Sequence, residues 1–339
     1  MAKKVTIYDI AKKLGITPAT VSYALNNVPK VSPEMRKKIL DTAMKMGYVR
    51  NYTAVSLSTG KSKIIALLLP FKDISEAFLQ NPFYGEFIGF FEKNIKKEGY
   101  DLFIQPLYDE KELELWLVGR GVDAAVVLGT FPDFYEKSFK NHNMPVVLVD
   151  VYNADNKDYS SVCIADFEGE FRAAEYLIQN GHKRIAFVGA DINNSIVDKR
   201  RYDGYRKALA DYKIPYDDSL LFKCNPTFAD GVEFASKLIK RKDITALVCA
   251  ADTLAIGIMN GYRMQNKQIP ECLSIVGFDD IQSSSLVYPS LTTVKQDIES
   301  KASLAAKFLF EKINNPESSI RTVTMELKLI IRDSVSKIN

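Results

Sequence analysis

The chain has 339 residues, enough for two or three domains, and its 47% hydrophobic and 26% charged content supports a sizeable globular core. No run reaches the ~18 apolar residues that would span a bilayer, and the N-terminus carries no apolar signal core, so a cytoplasmic protein without a membrane role is expected. The net charge of +3 is unevenly divided: residues 1–63 hold twelve Lys/Arg against three Asp/Glu, a net of +9, and the rest carries −6. A basic head on an acidic body implies a polyanion partner for the head alone.

The first sixty residues predict three short helices and a polar connector. Thr6 is placed to cap the first helix, with Asp9 three residues on completing a capping box. Ile7, Ile10, Ala11 and Leu14 share one face, and Gly15 closes the helix. Thr17-Pro18 starts a second helix with Val21, Ala24 and Leu25 inward, leaving Thr20, Ser22, Tyr23 and Asn26 to point elsewhere. Ser32-Pro33 starts a third, with Ile39, Ala43 and Met46 inward, Arg36, Lys37 and Lys38 outward, and Gly47 at its end. Two helices joined by a glycine-containing turn form a helix-turn-helix, whose second helix enters the DNA major groove. A bare three-helix bundle is the alternative, and the charge argues against it.

Residues 50–63 are polar and small and read as a linker, with a short helix possible around Ala54, Val55 and Leu57. From residue 63 short apolar strands alternate with amphipathic helices: strands near 64–70, 101–106, 122–130, 144–150 and 160–166, then a second series with strands at 183–190, 219–222, 243–250 and 273–279. This pattern predicts two α/β lobes, each a parallel sheet covered on both faces, with a break near 155–163 and a ligand cleft beyond the carboxyl ends of the strands. Cys163, Cys224, Cys249 and Cys272 form no C-x-x-C pair, lie in or beside apolar runs, and are expected to be buried free thiols. His182, after Asn180-Gly181 at a helix end, reads as a cation suited to the helix dipole.

The runs TIYDIAKKLGITPATVSYALNN, VSPEMRKKIL and MGYVRNYTAVSL, in this order at the N-terminus, resemble the head of the LacI/GalR family of bacterial repressors. GHKRIAFVGA, RYDGYRKAL, SIVGFDD, YPSLTTVKQD and MELKLIIRDSV resemble the effector body that this family shares with periplasmic sugar-binding proteins. The resemblance implies a helix-turn-helix head at 1–50, a hinge at 51–62, a first lobe of 63–162 with 293–322, and a second lobe of 163–292 with 323–339. It implies DNA contacts from Thr6, Tyr8, Thr17, Pro18, Ala19, Thr20, Ser22, Tyr23, Asn26, Lys30, Tyr48, Asn51 and Ala54, with Leu57 as a hinge residue that wedges into the minor groove. Pro18, Ala19 and Tyr23 occupy the family's base-reading positions, and Pro18 and Ala19 can offer only apolar contact, as with a thymine methyl. Lys3, Lys4, Lys30 and Arg50 would meet phosphates; Arg50 stands where the family commonly has proline. The effector contacts implied are Phe83, Tyr84, Asp150, Arg201, Phe228, Asp252 and Asp279, with Ala251 standing where the family often carries a polar residue.

Carboxylates as acceptors and an arginine as a multi-donor fork suit a polyhydroxyl ligand, and an aromatic ring such as Phe83, Tyr84, Phe228 or Phe278 can cover the apolar side of a sugar. Only two histidines occur, neither in a metal or triad spacing, and no G-x-S-x-G, G-x-x-x-x-G-K-[ST] or H-E-x-x-H is present. No catalytic residue, metal or cofactor is therefore expected. The reading is a cytoplasmic, dimeric regulator, a repressor of carbohydrate-utilisation genes that binds a near-palindromic operator under control of a sugar effector. A purine or other metabolite, or a phosphoprotein corepressor, is the alternative within this architecture. A transport solute-binding protein or a metabolic enzyme is more distant. No leucine heptads follow residue 335, so nothing in the sequence supports a tetramer.

Overall fold

The computed structural model describes residues 5–26, 28–48, 60–69, 81–106, 111, 113, 119, 121–129, 134–152 and 158–338. The chain forms two compact units, Met1–Ser62 and Lys63–Asn339.

In the first unit, α1 (Ile7–Leu14), α2 (Pro18–Leu25) and α3 (Pro33–Lys45) begin where their caps dictate. The Thr6 Oγ1 accepts from the Asp9 amide at 3.4 Å while the Asp9 carboxylate accepts from the Thr6 amide at 2.8 Å, a reciprocal capping box. Thr17 and Ser32 accept from Thr20 N and Met35 N at 3.2 and 3.3 Å. Gly15 turns the chain at φ +65°, a left-handed conformation that side chains resist. Ile10, Ala11, Val21, Ala24, Ile39 and Ala43 meet at the centre. Half-buried Ile7, Leu14, Leu25 and Met46 pack around them; the core is small, so each cap, worth about 1 kcal/mol, matters to this unit. Arg36, expected outward, turns inward: its Nη2 donates to the Val28 carbonyl at 2.5 Å and ties α3 to the turn after α2.

The second unit contains two six-stranded sheets. The first is built from β1 (Ile64–Leu69), β2 (Asp101–Pro106), β3 (Ala124–Leu128), β4 (Val146–Val149), β5 (Ser160–Ile164) and β11 (Thr322–Met325), in the order β11-β5-β4-β3-β1-β2, all parallel. Along β1, Ile65, Leu67 and Leu69 pack against α4 (Pro82–Lys97), while Ala66 and Leu68 enter a separate cluster on the opposite face. Both faces are covered, which is why β1 reads IIALLL without alternation. The helix α5 (Phe134–Asn141) leads into β4.

The second sheet holds β6 (Ile185–Gly189), β7 (Leu221–Lys223), β8 (Ala246–Cys249), β9 (Ser274–Asp279), β10 (Thr292–Lys295) and β12 (Lys328–Ile330), ordered β12-β10-β9-β8-β6-β7, with only β12 antiparallel. Its helices are α6 (Asp166–Gln179), α7 (Ile196–Asp211), α8 (Phe228–Leu238) and α9 (Asp252–Met264). The last helix, α10 (Ile298–Asn314), returns to the first sheet, where Ile298, Ala302, Ala305 and Leu309 join the cluster around β1 and α4.

The chain crosses between sheets at residue 165, at 296–297 and at 326–327. Each crossing lies a few residues beyond the boundary expected from sequence. The reason is register: Thr292 pairs with Val276 and so keeps β10 in the second sheet, and Thr322 pairs with Ser161 and keeps β11 in the first. A strand must be completed before the chain can leave its sheet. Two further expectations are corrected. His182 is buried, its ring nitrogens 3.0 Å from Thr245 Oγ1 and from the Ser336 carbonyl, and burial lowers its pKa, so it is a neutral tie to the C-terminal segment rather than a cation at a helix end. Cys272 is exposed in the turn before β9, whereas the other three cysteines are buried; all four are free.

Candidate functional site

In the first unit, the face carried by α2 is polar and uncharged. Thr17, Ala19, Tyr23 and Asn26 are exposed, and Pro18, Thr20 and Ser22 are half-buried. The Thr17 and Thr20 hydroxyls lie 2.9 Å apart, and Asn26 Nδ2 donates to Ser22 Oγ at 3.2 Å. Lys30 Nζ sits 5.3 Å from the centre of the Tyr23 ring, an arrangement that steers a cation beside the phenol. Thr6 and Tyr8 are exposed at the start of α1, Tyr8 at 68%, and Tyr48 is half-buried after α3. Asn51, Ala54 and Leu57, expected in the hinge, lie outside the described residues, as do Lys3, Lys4 and Arg50.

In the second unit, a cleft of about 430 Å³ opens between the carboxyl ends of the two sheets. Asp150 follows β4 and Asp279 ends β9, both with positive φ, +53° and +118°. Non-glycine residues adopt such values only where the surroundings enforce them, and here they turn two carboxylates out of their strands toward the cleft. Phe83 and Tyr84, from the first turn of α4, line the same cleft in edge-to-face contact at 5.3 Å. Arg201 enters from α7. Its Nε donates to Asp166 Oδ1 at 2.7 Å, its Nη1 to the Ala250 carbonyl, its Nη2 lies 3.9 Å from Asp279, and its guanidinium rests 3.6 Å above the Phe278 ring. Gly204 explains the Arg-x-x-Gly spacing: a Cβ there would collide with the Phe167 carbonyl, so only glycine lets α7 approach α6 closely enough for Arg201 to reach Asp166.

Two expected contacts fall elsewhere. Asp252 is fully buried behind the cleft wall, accepting from the Ile281 amide at 3.0 Å, Ser284 Oγ at 2.6 Å and Thr293 Oγ1 at 2.5 Å. With three donors spent on it, Asp252 holds the fold and does not face the cleft. Phe228 is 44% exposed at the start of α8 and is not part of the lining, which ends in this region at Pro226. Phe278, one of the candidate ring-covering aromatics, is buried and serves as the shelf under Arg201.

The cleft also gathers residues that sequence reasoning missed: Asp166, Asp198, Asn194 and Gln296 line it, and Lys301 lies behind it. Asp166 follows the strand SSVCI, so the same strand-end rule that marked Asp150 and Asp279 could have found it. Asp198 was hidden by its role as helix-cap partner, where Ser195 Oγ donates to it at 2.5 Å and the Ala190 amide at 2.8 Å. Burial pushes Asp279 up to about 6, against the pull of Arg201 and Gln296. Burial also raises Asp150, and Lys301 opposes the rise. Burial works against the Arg201 charge, but Asp166 and Asp279 outweigh it and keep the guanidinium ionised. The cleft thus presents fixed acceptors and one donor fork. Among the described residues no group of His, Cys, Asp and Glu could hold a metal ion.

Comparison with known proteins agrees with both units. Residues 6–51 match the model for bacterial regulatory proteins of the lacI family, and residues 174–335 match a periplasmic binding protein-like domain. The HTH-type transcriptional regulator RegA of Clostridium saccharobutylicum is 32% identical over 97% of this chain and 98% of its own length. The chain belongs to the lacI family of bacterial regulatory proteins. Among solved structures, a LacI family regulator from Enterococcus faecium with bound ribose is 26% identical, covering 81% of this chain and 100% of that one, with a TM-score of 0.73. The lac repressor dimer bound to operator shares the fold with a TM-score of 0.82 at 20% identity, covering 98% of this chain and 100% of that one. The protein is thus a DNA-binding transcription regulator of lacI type, with the lacI-family match in the first unit and the periplasmic binding protein-like match in the second. No helix among the described residues is long and apolar enough to cross a membrane.

Proposed function

We propose that this regulator is a cytoplasmic repressor of carbohydrate-utilisation genes, binding a near-palindromic operator as a homodimer and answering to a sugar in the cleft. The observation that carries the reading is the convergence of Asp150, Asp279 and the Arg201 fork on one cavity beside the Phe83–Tyr84 pair. A hydroxyl both donates and accepts, so a polyol satisfies carboxylates and guanidinium together, and the rings can cover its apolar face. The relative with bound ribose supports the same ligand class. In the head, Thr20, Ser22 and Tyr23 offer hydrogen-bonding groups to base edges and Ala19 a methyl surface. Two-fold pairing of heads requires a two-fold operator. A sugar alters DNA affinity to the extent that it prefers one arrangement of the two lobes.

The test uses full-length protein, inverted-repeat and random duplexes, and a panel of sugars. Wild type prefers an inverted repeat, and one sugar changes that affinity. Arg201→Ala retains operator binding within about twofold and loses the sugar response, by roughly 100-fold in sugar affinity. Equal binding to random duplex with and without every sugar, or loss of operator binding in folded Arg201→Ala, would sink the reading.

A further inference from the structure

Helix α10 presents Ile298, Ala302, Ala305 and Leu309 to the first sheet, and on the same side it carries a lysine. Lys301 is 0% exposed. A buried ammonium is costly unless its charge is matched and its protons are used. Here both conditions hold. Its Nζ lies 2.7 and 3.0 Å from the two oxygens of Asp150 and 2.6 Å from Gln296 Oε1, with the Phe83 ring centre at 5.0 Å. An ammonium has three protons and no acceptor, so these contacts leave nothing for a ligand.

We propose that Asp150, by cancelling the buried Lys301, leaves the remaining carboxylates to set the charge class of the effector, making the cleft a receptor for an uncharged polyhydroxy compound and closing it to carboxylated or phosphorylated counterparts. The inference rests on the small-molecule reading of the cleft given above. Lys301 answers Asp150 from behind and holds it as a fixed acceptor. It also takes the Gln296 oxygen, so the amide nitrogen must turn to Asp279, which it meets at 2.5 Å. Arg201 is matched in the same way by Asp166 at 2.7 Å. Among the described residues of the lining, Asp150, Asp166, Asp198 and Asp279 face a single arginine, and Lys301 behind the wall is the second cation. Both cations already have carboxylate partners, and Asp198 and Asp279 add negative charge beyond them. An anionic ligand meets this surplus in a buried site where screening is weak. The unspent donors, Arg201 Nη2 and the second amide proton of Gln296, call for acceptor oxygens, which a cationic group does not provide and a hydroxyl does.

Matched ligands test this with the full-length protein, by thermal melting and calorimetry: glucose, galactose and ribose, each beside its phosphate ester, and the two hexoses beside their uronates, with maltose and cellobiose as neutral disaccharides. The expected binders are neutral, and the anionic partner of any binder is weaker by roughly tenfold or more. Asp150→Asn leaves the ammonium unanswered and is expected to shrink that ratio about tenfold. Asp150→Asn combined with Lys301→Met removes both charges, restores the ratio and weakens the neutral ligand by about tenfold. If Asp150→Asn alone does not fold, the double variant decides: a ratio that departs from wild type, or unchanged affinity for the neutral ligand, overturns the role of the Asp150–Lys301 pair. An anionic compound that binds more tightly than its neutral parent, or a ratio indifferent to Asp150→Asn in folded protein, overturns the inference while leaving a carbohydrate effector standing. Failure of every compound, charged or neutral, to bind overturns the effector class and this inference together.

Discussion

At the scale of single residues, Asp279 carries the sharpest consequence. Its carboxyl sits at the end of β9 with positive φ, one oxygen bonded to Gln296 and Arg201 nearby, and burial pushes its pKa up to about 6. A raised folded pKa means that the ligand-free protein takes up a proton here as the pH falls through 6. A hydroxyl donor needs the carboxylate, so effector affinity is expected to be flat above about pH 7 and to fall up to tenfold per pH unit below about 6. Asp279→Asn should bind more weakly at pH 7.5 and lose the dependence. Calorimetry between pH 5 and 8 checks this, and an unchanged slope in Asp279→Asn would assign the titration elsewhere, with Asp150, also raised by burial, next in line.

At the scale of elements, the lobes are held by buried polar stitches as well as by apolar packing. Asp252 opens α9 and reaches the turn at Ile281 and Ser284 and the strand β10 at Thr293. Gly277 makes room for it, since a Cβ there would collide with its carboxylate. Asp252→Ala strands three buried donors, and is expected to cost the second unit about 3 kcal/mol, a fall in melting temperature of roughly 5–10 °C. Operator binding by the surviving folded fraction should be unaffected. Thermal melting of full-length protein checks the first point, and a shift under 2 °C, on the order of 0.5 kcal/mol, would show that the stitch is dispensable.

At the scale of the whole molecule, the +9 charge of residues 1–63 against −6 for the rest confines polyanion attraction to one end. Each phosphate neutralised releases counterions. With about four basic contacts per head in a dimer, the log of operator affinity should fall against log salt with a slope of roughly −7. The isolated second unit should show no duplex binding at any salt. Fluorescence anisotropy from 50 to 300 mM salt measures both, and a slope near zero would show that charge does not drive binding.

The head was legible residue by residue because its signals are local. Thr6 with Asp9, Thr17-Pro18, Ser32-Pro33 and Gly15 act within four positions of themselves, and the structure places each helix start at its cap. The alternation of apolar strands and helices determined two parallel lobes, because a strand covered on both faces has to be apolar throughout. Tertiary structure alone decided what the cleft contains. Asp252 and Phe228 stand at strand and helix ends like the true lining residues, and only packing turns one inward and the other to solvent. Lys301 reads as an ordinary surface lysine until α10 is laid on the first sheet, 151 residues on from Asp150. A lone charge in the apolar register of a helix was the one available signal. Its meaning depends on a partner across the fold, and pairing between distant residues leaves no trace in local spacing.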